Sequence, residues 1–139
     1  MPKALVMTAA ALCGLAPVAA LAAQDDGLDA LDRLERGEWE LRERGIGGAV
    51  RRMCIGDPQQ LLQPRHPGQL CSRFVLEDTA DKVSVTYDCA RAGRGRTALR
   101  VETARLVQID SQGVSDGAPF AMMIEGRRVG VCGPAVMRR

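Results

Sequence analysis

The chain has 139 residues, 19 basic against 17 acidic, for a net charge of +2 near neutral pH. Mixed charge at near-zero net does not make the clustered basic footprint that nucleic acid requires. One Trp, one Tyr and two Phe are too few for an aromatic platform on which bases or sugars stack, so the arginine-rich composition reads as a solvated surface.

The first residues, MPKALVMTAAALCGLAPVAALAAQDD, have the three-part build of an export signal: Lys3, an apolar run from Ala4 to Leu15, and small residues at Ala20-Leu21-Ala22. This places a signal peptide over 1–23, with cleavage near Ala22 or Ala23. Gly14, Pro17 and the acidic pair Asp25-Asp26 leave too short a stretch for an anchor, which needs roughly 20 apolar residues. No second apolar segment follows, so no stable membrane insertion is expected after cleavage. The compartment implied is the bacterial periplasm or the medium.

Residues 24–36 read as a short helix or linker, with Leu28, Leu31 and Leu34 along one side and Gly37 as a stop. EWELR then alternates Trp39 and Leu41 with Glu38, Glu40 and Arg42, the pattern of a half-buried strand. The glycines Gly45, Gly47 and Gly48 mark a turn before a second strand through AVRRMCI. They lack the Lys-Ser/Thr and the helix that follow a phosphate loop. Asp57 caps a helical turn over Pro58 to Gln63, which Pro64 and Pro67 stop. His66, the one histidine, falls in this Pro-rich loop and reads as an exposed surface residue without a catalytic partner.

CSRFVLEDTADKVSVTYDC begins and ends on cysteine. A hairpin turning at Thr79-Ala80-Asp81 and centred on Ala80 pairs Val75 with Val85, Arg73 with Tyr87, and Cys71 with Cys89. Opposed residues in an antiparallel pair lie about 4.5–5.5 Å apart at Cα, within the reach of a disulfide. Once Cys13 leaves with the signal, Cys54 and Cys132 remain for each other. None of the spacings is as short as the roughly two to four residues that zinc ligands keep, and an exported chain with four cysteines favours disulfides. Of the three possible connectivities, geometry favours Cys71–Cys89 with Cys54–Cys132. The short bond is worth about 3 kcal/mol and the long one about 4–5 kcal/mol.

Beyond Cys89, ARAGRGRT reads as a turn-rich connector and TALRVET as a strand. ARLVQID either continues that strand or follows a bend near Ala104. SQGVSDGAP reads as a turn, and PFAMMIEGRRVGVC as the last strand, with Phe120, Met122 and Ile124 on one face and Gly126 at a bulge or close approach. The fold expected over 37–133 is mainly β, a curved antiparallel sheet or small sandwich of about six or seven strands with one or two short helices, stapled by disulfides. Residues 134–139 form a C-terminal tail.

No constellation carries chemistry. None of Ser72, Ser84, Ser111 or Ser115 sits in a G-x-S-x-G elbow. Glu38 and Glu40 share a solvent-facing strand side, and the adjacent Met122 and Met123 point to opposite faces, which argues against a copper site. Catalytic, cofactor-binding and metal-ligating residues are therefore not assigned. An apolar cleft left by a sheet with few aromatics is the remaining candidate.

GEWE near the start, the cysteines across the middle and GRRVGVC at the end resemble the exported bacterial domain of unknown function 3617 family. The resemblance runs from about Gly37 to Cys132 through Gly37, Trp39, the four cysteines and Gly130. It implies a small exported, mainly β protein with structural cysteines, and no catalytic residue. The function expected is non-enzymatic binding of a small apolar ligand or an envelope protein. The alternatives are an enzyme with a scattered Arg/carboxylate site and a structural envelope component. Oligomeric state is not legible.

Overall fold

The computed structural model describes residues 27–134, so the signal segment, its cleavage site and most of the C-terminal tail lie outside the described residues. A short helix, α1 (Asp29–Asp32), precedes seven strands: β1 (Gly37–Glu43), β2 (Val50–Ile55), β3 (Ser72–Asp78), β4 (Lys82–Asp88), β5 (Gly93–Thr103), β6 (Leu106–Ser115) and β7 (Ala118–Gly130). They form one open sheet in the order β2-β1-β7-β6-β5-β4-β3, every neighbouring pair antiparallel. β3 to β7 is therefore a meander, and the β1–β2 hairpin adds to its far side. Among the described residues no helix is long and apolar enough to cross a membrane.

This order puts β2 and β3, adjacent in sequence, at opposite edges of the sheet. At about 4.8 Å per strand gap the connection has to cross a whole face. It does so through a 3-10 turn, Pro58–Leu62, which Asp57 caps by accepting a 2.9 Å hydrogen bond from the Gln59 amide. The crossing buries Leu61 and Leu62, α1 adds Ala30 and Leu31, and Leu34 follows just beyond it. Together they cover the face carrying Trp39, Leu41, Ile55, Val83, Val85, Leu99, Val101, Val107, Ile109 and Ile124. The second layer that a one-sided sheet needs is thus the chain's own crossover.

Register explains which residues meet. Val83, Leu99, Ile109 and Ile124 form one inner row, and Val101, Val107, Gly126 and Leu41 another. At Gly126 a β-carbon would stand 2.8 Å from Val107 and 3.1 Å from Leu41, so this glycine is a close approach. The buried Trp39 donates its indole N–H to the Glu35 carbonyl at 3.0 Å.

The expected disulfides both form. Cys71–Cys89 has a Cα–Cα distance of 4.2 Å and Cys54–Cys132 one of 5.4 Å. The hairpin register holds from Ser72–Asp88 to Val75–Val85, then shifts by one residue at a bulge after Val75. The turn therefore closes more tightly than one centred on Ala80, with the Thr79 amide bonded to the Lys82 carbonyl.

Four readings need correction. Gly37 does not end the helix, which is over by Asp32; it opens β1 with φ +148°. The connector after Cys89 is only the 3-10 turn Ala90–Ala92, and Arg94 to Thr97 belong to β5. The chain does not run on or merely bend near Ala104: β5 folds back on β6, pairing Val101 with Val107. SQGV is strand too, and the β6–β7 turn is Asp116-Gly117, with φ +50° and +80°, the all-positive pair of the two-residue hairpin turn that favours Asp-Gly.

Candidate functional site

Two features converge where β4 and β6 end and β5 begins. One is a buried chain of hydrogen bonds on the inner face. The other is an open groove on the outer face.

The inner row here is Tyr87, Gly95, Gly113 and Phe120, two aromatics bracketing two glycines. His66 sits in the notch between them. It is only 3% exposed, contrary to the surface position expected from its loop, and packs edge-on against Tyr87 and Phe120 with ring centroids 5.4 and 5.9 Å away. A β-carbon at Gly95 would stand 2.6 Å from the Tyr87 hydroxyl, and one at Gly93 would stand 2.8 Å from His66 Nε2. The missing side chains make the room.

Hydrogen-bond chemistry sets the direction of the chain. His66 Nε2 lies 3.0 Å from the Ala92 carbonyl, which only accepts, so Nε2 carries the proton. Nδ1, 3.1 Å from the Tyr87 hydroxyl, then accepts in the neutral ring. Ser111 sits beside Tyr87 and acts on its phenol, and the buried Thr97 completes the series, 2.9 Å from the Ser111 hydroxyl. Burial holds the Tyr87 phenol above its ordinary range, the Ser111 hydrogen bond offsetting part of the rise. Ser111 and Thr97 are fully buried and both His66 nitrogens are engaged. The series anchors the crossover loop to the sheet.

The groove opens on the other side of the same strands, with a volume of about 650 Å³. Its charged lining is Arg94 and Arg96 of β5 and Asp88 of β4; Thr86, Gln112 and Ser72 supply hydrogen-bonding groups and Val114 apolar surface, and the inner-row positions Tyr87, Gly95, Gly113 and Phe120 complete the lining. Register places Arg96 between Thr86 and Gln112, and Arg94 between Asp88 and Val114. Across β4, Phe74 stands opposite Thr86 at the groove's edge, 68% exposed.

What distinguishes Arg94 and Arg96 is that nothing holds them. Every other arginine within a strand makes a side-chain hydrogen bond: Arg42 and Arg52 to Glu40, Arg127 to Glu125, Arg100 to Glu102, Arg51 to Pro64, Arg73 to Gln59 and Arg128 to Arg36. Arg42 and Arg52 thereby pull the Glu40 carboxyl below its ordinary range, as Arg127 and Gln108 do for Glu125. Among the described residues Arg94 and Arg96 have no such partner.

The residues that carried the family resemblance lie elsewhere. Gly37, Trp39 and Gly130 meet along the β1–β7 pairing, where Glu38 stands opposite Gly130 and Trp39 opposite Arg128. A side chain at Gly37 would strike the Gly130 carbonyl. Cys54 pairs across from Glu38 and bonds to Cys132 just beyond, so this cluster is architectural. Cys71–Cys89 fastens the other edge. Sequence reasoning missed Arg94 and Arg96 because their segment looked like a turn. The signal was the alternation Gly93, Gly95, Thr97, Leu99 against Arg94, Arg96, Ala98, Arg100. Among the described residues no group of three or more His, Cys, Asp or Glu is placed to hold a metal ion. The sequence matches no protein-family model, no curated protein and no solved structure.

Proposed function

We propose that this chain is an exported, non-enzymatic binding module that takes a small amphiphilic molecule in the groove at Arg94 and Arg96. The observation that carries the reading is the pair of unpartnered guanidinium groups beside apolar surface at the exposed Phe74 and the half-buried Val114. An apolar ligand alone would leave the arginines idle, so the expected apolar cleft becomes a groove for a molecule with an acidic end. The sealed His66–Tyr87–Ser111 chain supports a binding role over catalysis, because its hydroxyls and imidazole are used up inside. Two disulfides support an oxidising compartment, in keeping with the export signal.

Native mass spectrometry of the protein purified from the periplasm without reductant tests this. The expected mass is that of a chain starting near Gln24 with both disulfides closed, plus a stoichiometric adduct lost on activation. The Arg94→Ala/Arg96→Ala variant should fold normally and lack the adduct. A bare mass in repeated preparations counts against it. That result favours a protein partner adding a strand to β3, whose Phe74, Val75 and Leu76 are exposed on an edge paired on one side only.

A further inference from the structure

The groove does not end at Arg96. Arg96 and Gln112 line both it and a small depression with Ala98 and Asp110. Ala98 and Asp110 in turn line a second cavity of about 290 Å³ with Lys82, Arg100, Gln108 and Met123. These hollows follow one line along β5 and β6. From Arg94 to Arg100 the trough runs about 20 Å, at roughly 3.3 Å per strand residue.

We infer that the trough takes a single-chain carboxylate amphiphile, its head group on Arg94 and Arg96 and its alkyl chain along Ala98 toward Met123. The inference rests on the groove being a binding site, as proposed above. Charge places the head group. The groove lining holds two arginines and one aspartate, a net single positive charge that a monoanion neutralises. Farther along, Arg44 is already paired with Glu125 and Arg100 with Glu102, and the remaining charges of that cavity, Lys82 against Glu77 and Asp110, are net negative and repel a carboxylate. The acidic end therefore belongs at Arg94 and Arg96.

Side-chain size places the tail. Beyond Arg96 the floor drops to the methyl group of Ala98, since neither arginine nor glutamine fills that position of β5. Met123, 53% exposed, stands on one side. The methylene stems of Lys82 and Arg100 stand on the other, able to cover an alkyl chain while their charged ends stay in water.

Calorimetric titration of the oxidised protein with hexanoate, decanoate and tetradecanoate, each below its micelle concentration, tests the inference. Affinity should rise about two- to fourfold per added methylene, the range for partly to fully buried groups, until the trough is filled. Ala98→Trp should remove that dependence, bringing tetradecanoate down to the affinity of hexanoate. Met123→Glu, at an exposed site, should weaken tetradecanoate more than hexanoate. The Arg94→Ala/Arg96→Ala variant should bind none of the three. Equal affinity for all three chain lengths overturns the trough and leaves the groove standing. Failure of every carboxylate to bind overturns both. An alkylamine of matching length that binds as tightly as the carboxylate overturns the head-group assignment.

Discussion

Gly95 is the residue on which the inner polar chain turns. Replacing it with Ala drives a methyl group toward the Tyr87 hydroxyl, 2.6 Å from the ideal β-carbon, and toward the backbone of β6. The ring has to leave its place between Ser111 and His66, and overpacking of this kind costs about 1–3 kcal/mol. Urea unfolding of Gly95→Ala should show that loss with an unchanged slope. Tyr87 also sets an alkaline limit. Its phenol is held above the ordinary value of 10.0 by burial, so the unfolded chain releases the proton first as pH rises. The stability it contributes is complete below the unfolded value and declines as pH climbs through the folded one. Urea midpoints followed from about pH 8 to 11 should fall in the wild type, and Tyr87→Phe should flatten the fall. At this scale the sequence was least legible. His66 looked exposed because its neighbours are Pro, Arg and Gly, and the notch that receives it is built from glycines on other strands. Only the register reveals it.

Elements were easier to read, and for local reasons. Trp39 and Leu41 alternate with charged residues, Asp57 precedes a proline, and an Asp-Gly pair at 116–117 closes the last hairpin; each signal acts within a few residues. The errors came where glycine, depleted in strands, stands inside one: Gly93, Gly95 and Gly113 made strand look like turn. The Cys71–Cys89 pairing was legible because a hairpin sets its own register, and the bulge after Val75 lies beyond the residues that fix it. The two bonds do unequal work. Removing Cys71–Cys89 as a Ser pair should cost about 3 kcal/mol, and removing Cys54–Cys132 about 4–5 kcal/mol, since the closed loops differ in length. Urea midpoints of the two double variants check the order. Amide exchange on the first should speed up most along β3, which has a single neighbouring strand.

The whole molecule is an open sheet that covers one face with its own crossover and leaves the other to solvent. Nothing in the sequence announces that arrangement. Strand signals say how many elements there are, whereas the order β2-β1-β7-β6-β5-β4-β3 depends on which edges remain unpaired once the meander has formed. The outer face consequently holds what sequence patterning alone treats as ordinary solvated charge. There Arg42, Arg100 and Arg127 are each tied to a glutamate two residues away on the same strand, and Arg94 and Arg96 have no such neighbour. The Cys54–Cys132 bond spans a sequence separation of 78 and encloses the meander from end to end. Under tension applied at the two ends of the chain, force passes from β2 straight across this bond, and β3 to β7, which all lie between the two cysteines, carry no load. An optical-tweezers pull on the oxidised protein should therefore stop short. Reductant should then release about 270 Å more, at roughly 3.5 Å for each of the 78 residues in the bypassed loop. The groove lies wholly within the shielded part, so a stretched molecule keeps its binding surface folded for as long as that single bond remains closed.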